Sequence, residues 1–210
     1  MTTAENTTKL EQFNEFFSIE HKFSVNLVAI DTNRLPSFEH FLSKMPLPFR
    51  ISSDIVALDQ AALRPIQALS GVAGQLVEFL NHQANKIDLL VGYILSQQDE
   101  PEHRYRGIKF GGGGVIFESD CAFNIGQMLE MKVFLLEENC AVFCVGEVIE
   151  LEAMPQSSDS DSNNKNECHQ HKVIFHYLRE EDREVLVRTS LHLQSKQLQD
   201  LSKQRNQANQ

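Results

Sequence analysis

Arg104, Arg106, Lys109 and the unbroken run Gly111–Gly112–Gly113–Gly114 are the residues of this chain whose types and spacing could do chemistry. Successive peptide N–H groups without side chains around them can form a nest for an anion, and the three cations would supply charge. No Gly-Lys-Ser/Thr follows the glycines and their flanks read as strands, so the run is not a P-loop. It could equally be a bend or bulge between strands, where only glycine accepts the backbone angles. Two arginines on one face of a strand could likewise be a solvated rim. Glu167, Cys168, His169 and His171 hint at a metal, but two histidines two positions apart without a second cluster do not match ligand spacing. No metal and no cofactor are expected. Glu118, Asp120, Glu130 and the run from Arg179 to Glu184 hold carboxylates enough for acid–base work. Nothing pairs them with a nucleophile, and neither G-x-S-x-G nor H-E-x-x-H occurs. A hydrolase or metal enzyme would need a reactive centre that is not displayed, so the chain is expected not to be an enzyme.

The bulk properties narrow the classes further. The chain has 210 residues, 41% of them apolar, and a formal net charge of −10. That length suffices for one or two domains with a proper core. A generally acidic surface repels nucleic-acid backbones and anionic membranes, so bulk nucleic-acid binding is not expected, although a local basic pocket for a small anion is compatible with it. The first residues lack the basic and apolar regions of a signal peptide, and no apolar run reaches membrane-spanning length. A cytoplasmic location without membrane insertion is expected. Cys140 and Cys144, four apart on a strand, would lie roughly 13 Å from each other, beyond disulfide reach. With Cys121 and Cys168 in turns, free thiols are the expectation.

The element that must position everything else runs from about Leu58 to Gln98. Ile66, Leu69, Leu76, Leu80, Gln83, Ile87, Leu90 and Ile94 belong to a register of alternating three- and four-residue steps, with one polar interruption at Gln83. A period of 3.5 kept this long asks for a left-handed supercoil of several helices. Flanking apolar residues such as Val77, Phe79, Val91 and Tyr93 widen the stripe, which favours three or four helices over two. The alternative is a long helix lying on its own chain's domain.

Before this helix, a short helix from Leu10 to Phe17 precedes an alternating strand from Phe23 to Ile30. Ser37 caps a second helix, which the prolines after Met45 end. Beyond Pro101 the pattern turns to short strands: Tyr105–Phe110, Val115–Glu118, Leu129–Leu135, Ala141–Leu151 with both faces apolar, and Val173–Tyr177. Turns fall at Asn124–Gly126 and Glu137–Asn139, and a polar, low-complexity tip spans Pro155–Glu167. A terminal helix with an acidic first turn runs from Arg179 to about Leu201. Strands at this spacing, closed by a helix, suggest a small antiparallel barrel.

The segments FGGGGVIFESDCAFNIGQMLEMKVFL, AVFCVGEVIELE and HKVIFHYLREEDREVLVRTSLHLQ resemble the PilZ domain in the order of their parts, over about residues 104–195. The upstream NKIDLLVGYIL is similar to the heptad helix of the atypical, tetrameric branch of that family. The resemblance implies a non-enzymatic receptor fold for cyclic di-GMP, in which RxxxR arginines fork onto guanine edges and phosphates and a [DN]xSxxG turn approaches the ligand. This chain departs from both patterns. Its arginines are spaced RxR, Lys109 stands where an acid or amide is expected, Gly111 where serine is, and Gly114 alone is retained.

The expected fold is therefore α+β: a small antiparallel PilZ-like β-barrel with a long upstream coiled-coil-type helix and a C-terminal helix. The expected organisation is an N-terminal strand and helix segment (1–53), the heptad helix (54–100), the barrel with its closing helix (101–202) and a frayed tail (203–210). The Phe23–Ile30 strand could complete the barrel or pack on the coil. The functional expectation is a bacterial cyclic di-GMP signalling adaptor, a homotrimer or homotetramer with a further protein partner. The alternative is a direct receptor that binds the dinucleotide at Arg104, Arg106, Lys109 and Gly111–Gly114.

Overall fold

The computed structural model describes residues 3–31, 35–55, 73–154 and 168–208. In chain order, α1 (Thr3–Glu15) leads into β1 (Ser18–Ile30), then α2 (Phe38–Lys44) and a helix over residues 47–55, here α3. A long helix, α4 (Ala73–Ser96), precedes β2 (Arg104–Gly111), β3 (Gly114–Ser119), β4 (Met128–Leu135), β5 (Cys140–Ala153), β6 (His169–Tyr177) and α5 (Glu180–Ala208). The strands form a closed barrel in the order β1-β2-β3-β6-β5-β4, every neighbouring pair antiparallel.

Closure settles where the N-terminal strand belongs. β1 bridges β2 on one side and β4 on the other, with Ser24 opposite both Arg106 and Phe134. The barrel thus begins at Ser18 and not at residue 101, because without β1 the strands β2 and β4 would each present an unpaired edge. The inward alternation supplies the core: Phe23, Val25, Phe110, Phe117, Met131 and Val133 are buried together. α5 stoppers one end of the barrel with Val185, Leu186 and Leu193.

The outer wall is covered as well. α2 and α3 lay Phe41, Met45 and Phe49 on Phe134, Ala141, Phe143 and Val145, and Leu95 at the foot of α4 joins them. Phe41 stacks on Phe143 at 5.5 Å between ring centres. This second layer is why β5 is apolar on both faces. Ser37 caps α2 by accepting a hydrogen bond from the His40 N–H, the local signal that the sequence carries. On another side of the wall, Phe13 of α1 packs on Ile116 and Ile149, and Lys9 donates to both carboxylate oxygens of Glu147, at 2.7 and 3.0 Å.

The acidic start of α5 does more than favour the helix dipole. Asp182 is buried and takes a forked pair of hydrogen bonds from Arg179, both at 2.9 Å, while Ser53 of α3 donates its hydroxyl to the same carboxylate. α5 also continues through Ala208, beyond the expected end near Leu201 and into the segment expected to fray. Gln, Lys, Arg and Ala are good helix formers, and neither glycine nor proline interrupts them.

The four cysteines are unbonded: Cys140 and Cys144 are in the core, Cys168 is half-buried and Cys121 is exposed. Burial pushes the Cys140 thiol up to about 12 and raises that of Cys144 too, so neither offers a thiolate at neutral pH. Titration of the native protein with a disulfide reagent is expected to modify Cys121 fastest, with Cys140 and Cys144 reacting only after denaturant is added. Rapid modification of all four thiols would contradict the packing of β5.

Candidate functional site

Side-by-side irregularities in β1 and β2 create an open groove on the barrel wall. Pairing between β1 and β2 slips between Glu20 and Phe23, and pairing between β2 and β3 slips between Gly107 and Lys109. An extra residue in a strand bends it and re-aims its side chains. Here the bulges turn His21 and Lys22, and Ile108 and Lys109, towards one open groove of about 660 Å³ on the barrel wall. Arg106, Ile116 of β3, Gln170 of β6 and Glu20, which stands opposite Lys109, complete its lining.

Of the residues expected to bind a ligand, this groove gathers Arg106 and Lys109 alone. Arg106 is exposed and its guanidinium meets Glu118 at 3.1 Å. Lys22 and Lys109 carry no ion pair among the described residues. Arg104 shares the outward face of β2 but serves the joint between α4 and the barrel, where it pairs with Asp99 at 2.8 Å. That joint is built on the buried Asn26 of β1. Its amide donates to the Asp99 carboxylate at 2.9 Å and to the Glu100 carbonyl at 3.1 Å, and its oxygen accepts from the Glu100 N–H at 2.9 Å. Lys132 donates to Glu100 and holds that carboxyl below the usual carboxylate range.

The tetraglycine does not stand open as an anion nest. All four glycines are buried in the β2–β3 hairpin. The Gly112 carbonyl accepts from Arg183, and the Gly113 carbonyl accepts from the Phe175 N–H at 3.0 Å. Their backbone angles do not demand glycine either, since Gly126 is the only described glycine with a positive φ, at 85°. Space demands it. A Cβ on Gly111 would sit 2.2 Å from the Phe17 carbonyl oxygen, one on Gly113 2.7 Å from that of Phe13, and one on Gly114 2.0 Å from that of Val173. Gly111 and Gly114 are thus packed closely against neighbouring backbone.

Of the histidine pair, His171 is held by packing and by one hydrogen bond, while its buried Nδ1 has no hydrogen-bond partner among the described residues. His171 is fully buried, its ring stacked on Phe117 at 4.9 Å, and its Nε2 accepts from the Phe123 N–H at 3.0 Å. The neutral ring then carries its proton on Nδ1. Among the described residues no group of three or more His, Cys, Asp and Glu could hold a metal ion, and Glu167 lies outside them. Burial, helped by His169, lowers the His171 pKa from 6.5 to about 4. Between those values the unfolded chain binds more protons than the folded one, so stability falls as the pH falls through this window. The slope is up to about 1.4 kcal/mol per pH unit. Melting curves are expected to show a smaller loss between pH 6.5 and 4.5 for His171→Gln than for wild type. Equal losses would remove His171 as the cause.

His21, Lys22 and Gln170 were not singled out from the sequence. The available signal was His21 itself, which falls where period-two alternation from Ile19 to Phe23 calls for an apolar residue; its ring lies edge-on to Phe110.

No family model and no curated protein matches this chain. Solved structures do. A pathogenic protein from Xanthomonas campestris, described as a tetrameric PilZ domain self-assembled via a helical bundle, aligns over 91% of this chain and 98% of its own, at 15% identity and TM-score 0.51. The PilZ domain of YcgR from Escherichia coli, solved with cyclic di-GMP, aligns over 50% of this chain and 84% of its own, at 12% identity and TM-score 0.38. The Bacillus subtilis inhibitor of motility MotI aligns over 44% of this chain and 42% of its own, at 18% identity and TM-score 0.37. The closed six-stranded antiparallel barrel with its C-terminal helix is a PilZ-type fold.

Proposed function

We propose that this chain is a non-enzymatic adaptor of bacterial cyclic di-GMP signalling, cytoplasmic, which self-associates through α4 as a trimer or tetramer. The observation that carries this reading is the uncovered face of α4. Val91 and Leu95 lie against the barrel, yet Leu76, Ile87, Leu90 and Ile94 are 58%, 47%, 64% and 48% exposed, with Phe79 and Tyr93 beside them. Leu80 and the half-buried Gln83 complete the register within the described residues; Ile66 and Leu69 lie outside them. From Tyr93 round to Leu80 the bare sector spans about 140° of the helix, wider than a two-stranded seam requires. The Xanthomonas protein of similar fold assembles by a helical bundle, which supports the same use of a helix here. The resemblance of NKIDLLVGYIL to the heptad helix of the atypical branch of PilZ domains supports the same reading. No described helix is long and apolar enough to cross a membrane. Light scattering on the purified protein tests the reading: a mass three or four times 23.9 kDa is expected, and a strictly monomeric mass would sink it.

A second reading, a direct receptor for cyclic di-GMP, is favoured by one observation: Arg106 and Lys109 line a groove large enough for a nucleotide. Calorimetry with the pure protein is its test. No heat at high micromolar dinucleotide removes the receptor role.

A further inference from the structure

We infer that the bulged groove of β1 and β2 is the docking site for an acidic, extended segment of a partner protein. The inference rests on the adaptor reading, which calls for such a partner, and it names the chemistry of contact.

Three features of the groove favour carboxylates on a peptide over a nucleotide. Arg106, the one guanidinium there, already meets a carboxylate, Glu118, and the remaining cations are Lys22 and Lys109. An ammonium is a point charge that accepts a carboxylate from many directions, whereas guanine edges and phosphates are read best by a free planar fork. The floor is aliphatic, Ile108 and Ile116, and the only ring among the described residues lining the groove, His21, is engaged edge-on with Phe110 at 6.2 Å. A base would therefore lack the flat face it stacks on. The nearby glycine hairpin is buried, so it adds no N–H nest for phosphate.

The remaining features suit a peptide. The chain carries a net charge of −10, yet this groove sets Lys22, Lys109 and Arg106 against the two carboxylates of Glu20 and Glu118, a local excess of positive charge that departs from its surroundings and complements an acidic partner. An extended segment presents side chains alternately to two faces, so carboxylates can meet Lys22 and Lys109 while apolar neighbours rest on the isoleucines. Gln170 offers an amide to the segment's backbone.

The test uses the full chain, a fluorescein-labelled peptide of glutamates and valines, and the same peptide with glutamine for glutamate. Fluorescence anisotropy is expected to show binding of the acidic peptide and none of the glutamine peptide. Lys22→Glu combined with Lys109→Glu is expected to weaken binding at least about tenfold. Lys203→Glu combined with Arg205→Glu, an equal charge change far along α5, leaves it intact. No binding at millimolar peptide, or equal binding by the double variant, overturns the inference. So does displacement of the peptide by cyclic di-GMP with a heat of binding that the double variant lacks, since the groove would then be a nucleotide site. Light scattering on the same samples separates the two claims: an intact oligomer without peptide binding sinks the docking site alone. A monomer that binds the peptide through both lysines sinks the assembly and leaves the docking site standing.

Discussion

With Ile87 and Leu90 both replaced by aspartate, the protein is expected to run as a monomer of 23.9 kDa with its barrel intact. Both side chains stand on the bare sector of α4, and both are about half exposed or more in the single chain. In the proposed assembly they are covered by neighbouring copies, and each fully buried side chain of this size contributes about 1.5–3 kcal/mol. Aspartate in their place removes that gain and adds the cost of burying a charge in every subunit, so the mass falls completely and not by degrees. The melting temperature of the barrel is expected to change little, since neither residue belongs to its packed clusters. Leu89→Asp is the control. Leu89 is also exposed, but it points about 160° away from Ile87 around the helix. If Leu89→Asp dissociates the protein as thoroughly as the double variant, the sector assigned to the interface is wrong.

The second large effect is expected at Gly114. A single added methyl, Gly114→Ala, places Cβ 2.0 Å from the Val173 carbonyl oxygen and 2.7 Å from the Phe13 ring. The ring could turn, but the oxygen belongs to the ladder between β3 and β6, where Gly114 lies opposite Ile174. Relief requires the two strands to part, which breaks closure of the barrel and loosens the seat of α1 on its wall. A cost of about 4 kcal/mol or more is expected, a large share of the stability of a typical domain. Gly74→Ala is the matched contrast, because an added Cβ there meets nothing within 4 Å and the site is helical. That change is expected to stabilise by about 0.5–1 kcal/mol. Denaturant melts of the two variants side by side check the pair. A Gly114→Ala protein as stable as wild type would restore the view that the hairpin is open and free for a ligand.

These two substitutions sit on opposite sides of what could be read from the residues. The heptad spacing from Leu76 to Ile94 is a local property of one helix, so the existence of α4 and its apolar stripe was legible. The strands from Arg104 onward were legible for the same reason, since period-two alternation and the turns at Asn124–Gly126 and Glu137–Asn139 are encoded in neighbouring residues. Even the double-sided apolar character of β5 was visible, although its cause was not. Only the packing of Phe41 and Phe49 on Phe143 explains it.

Long-range closure was another matter. Nothing local in SIEHKFSVNLVAI says that it lies between β2 and β4, because an alternating strand fits any sheet with one buried face. The tetraglycine shows the same limit. A run of glycines reads alike whether it leaves room for a phosphate or for three neighbouring carbonyls, and its surroundings come from α1, β1 and β6, far away in the chain. The basic groove depends on two bulges coming into line across a strand pair, so Lys22, Lys109 and Gln170 meet only once the barrel is closed. By itself, then, the sequence determined the strands and which face of α4 is apolar, because those patterns repeat within a few residues, but neither α3 nor the start of α1 at Thr3. The tertiary structure decided which side chains share a surface, because that depends on strand order and register between residues up to a hundred or more positions apart.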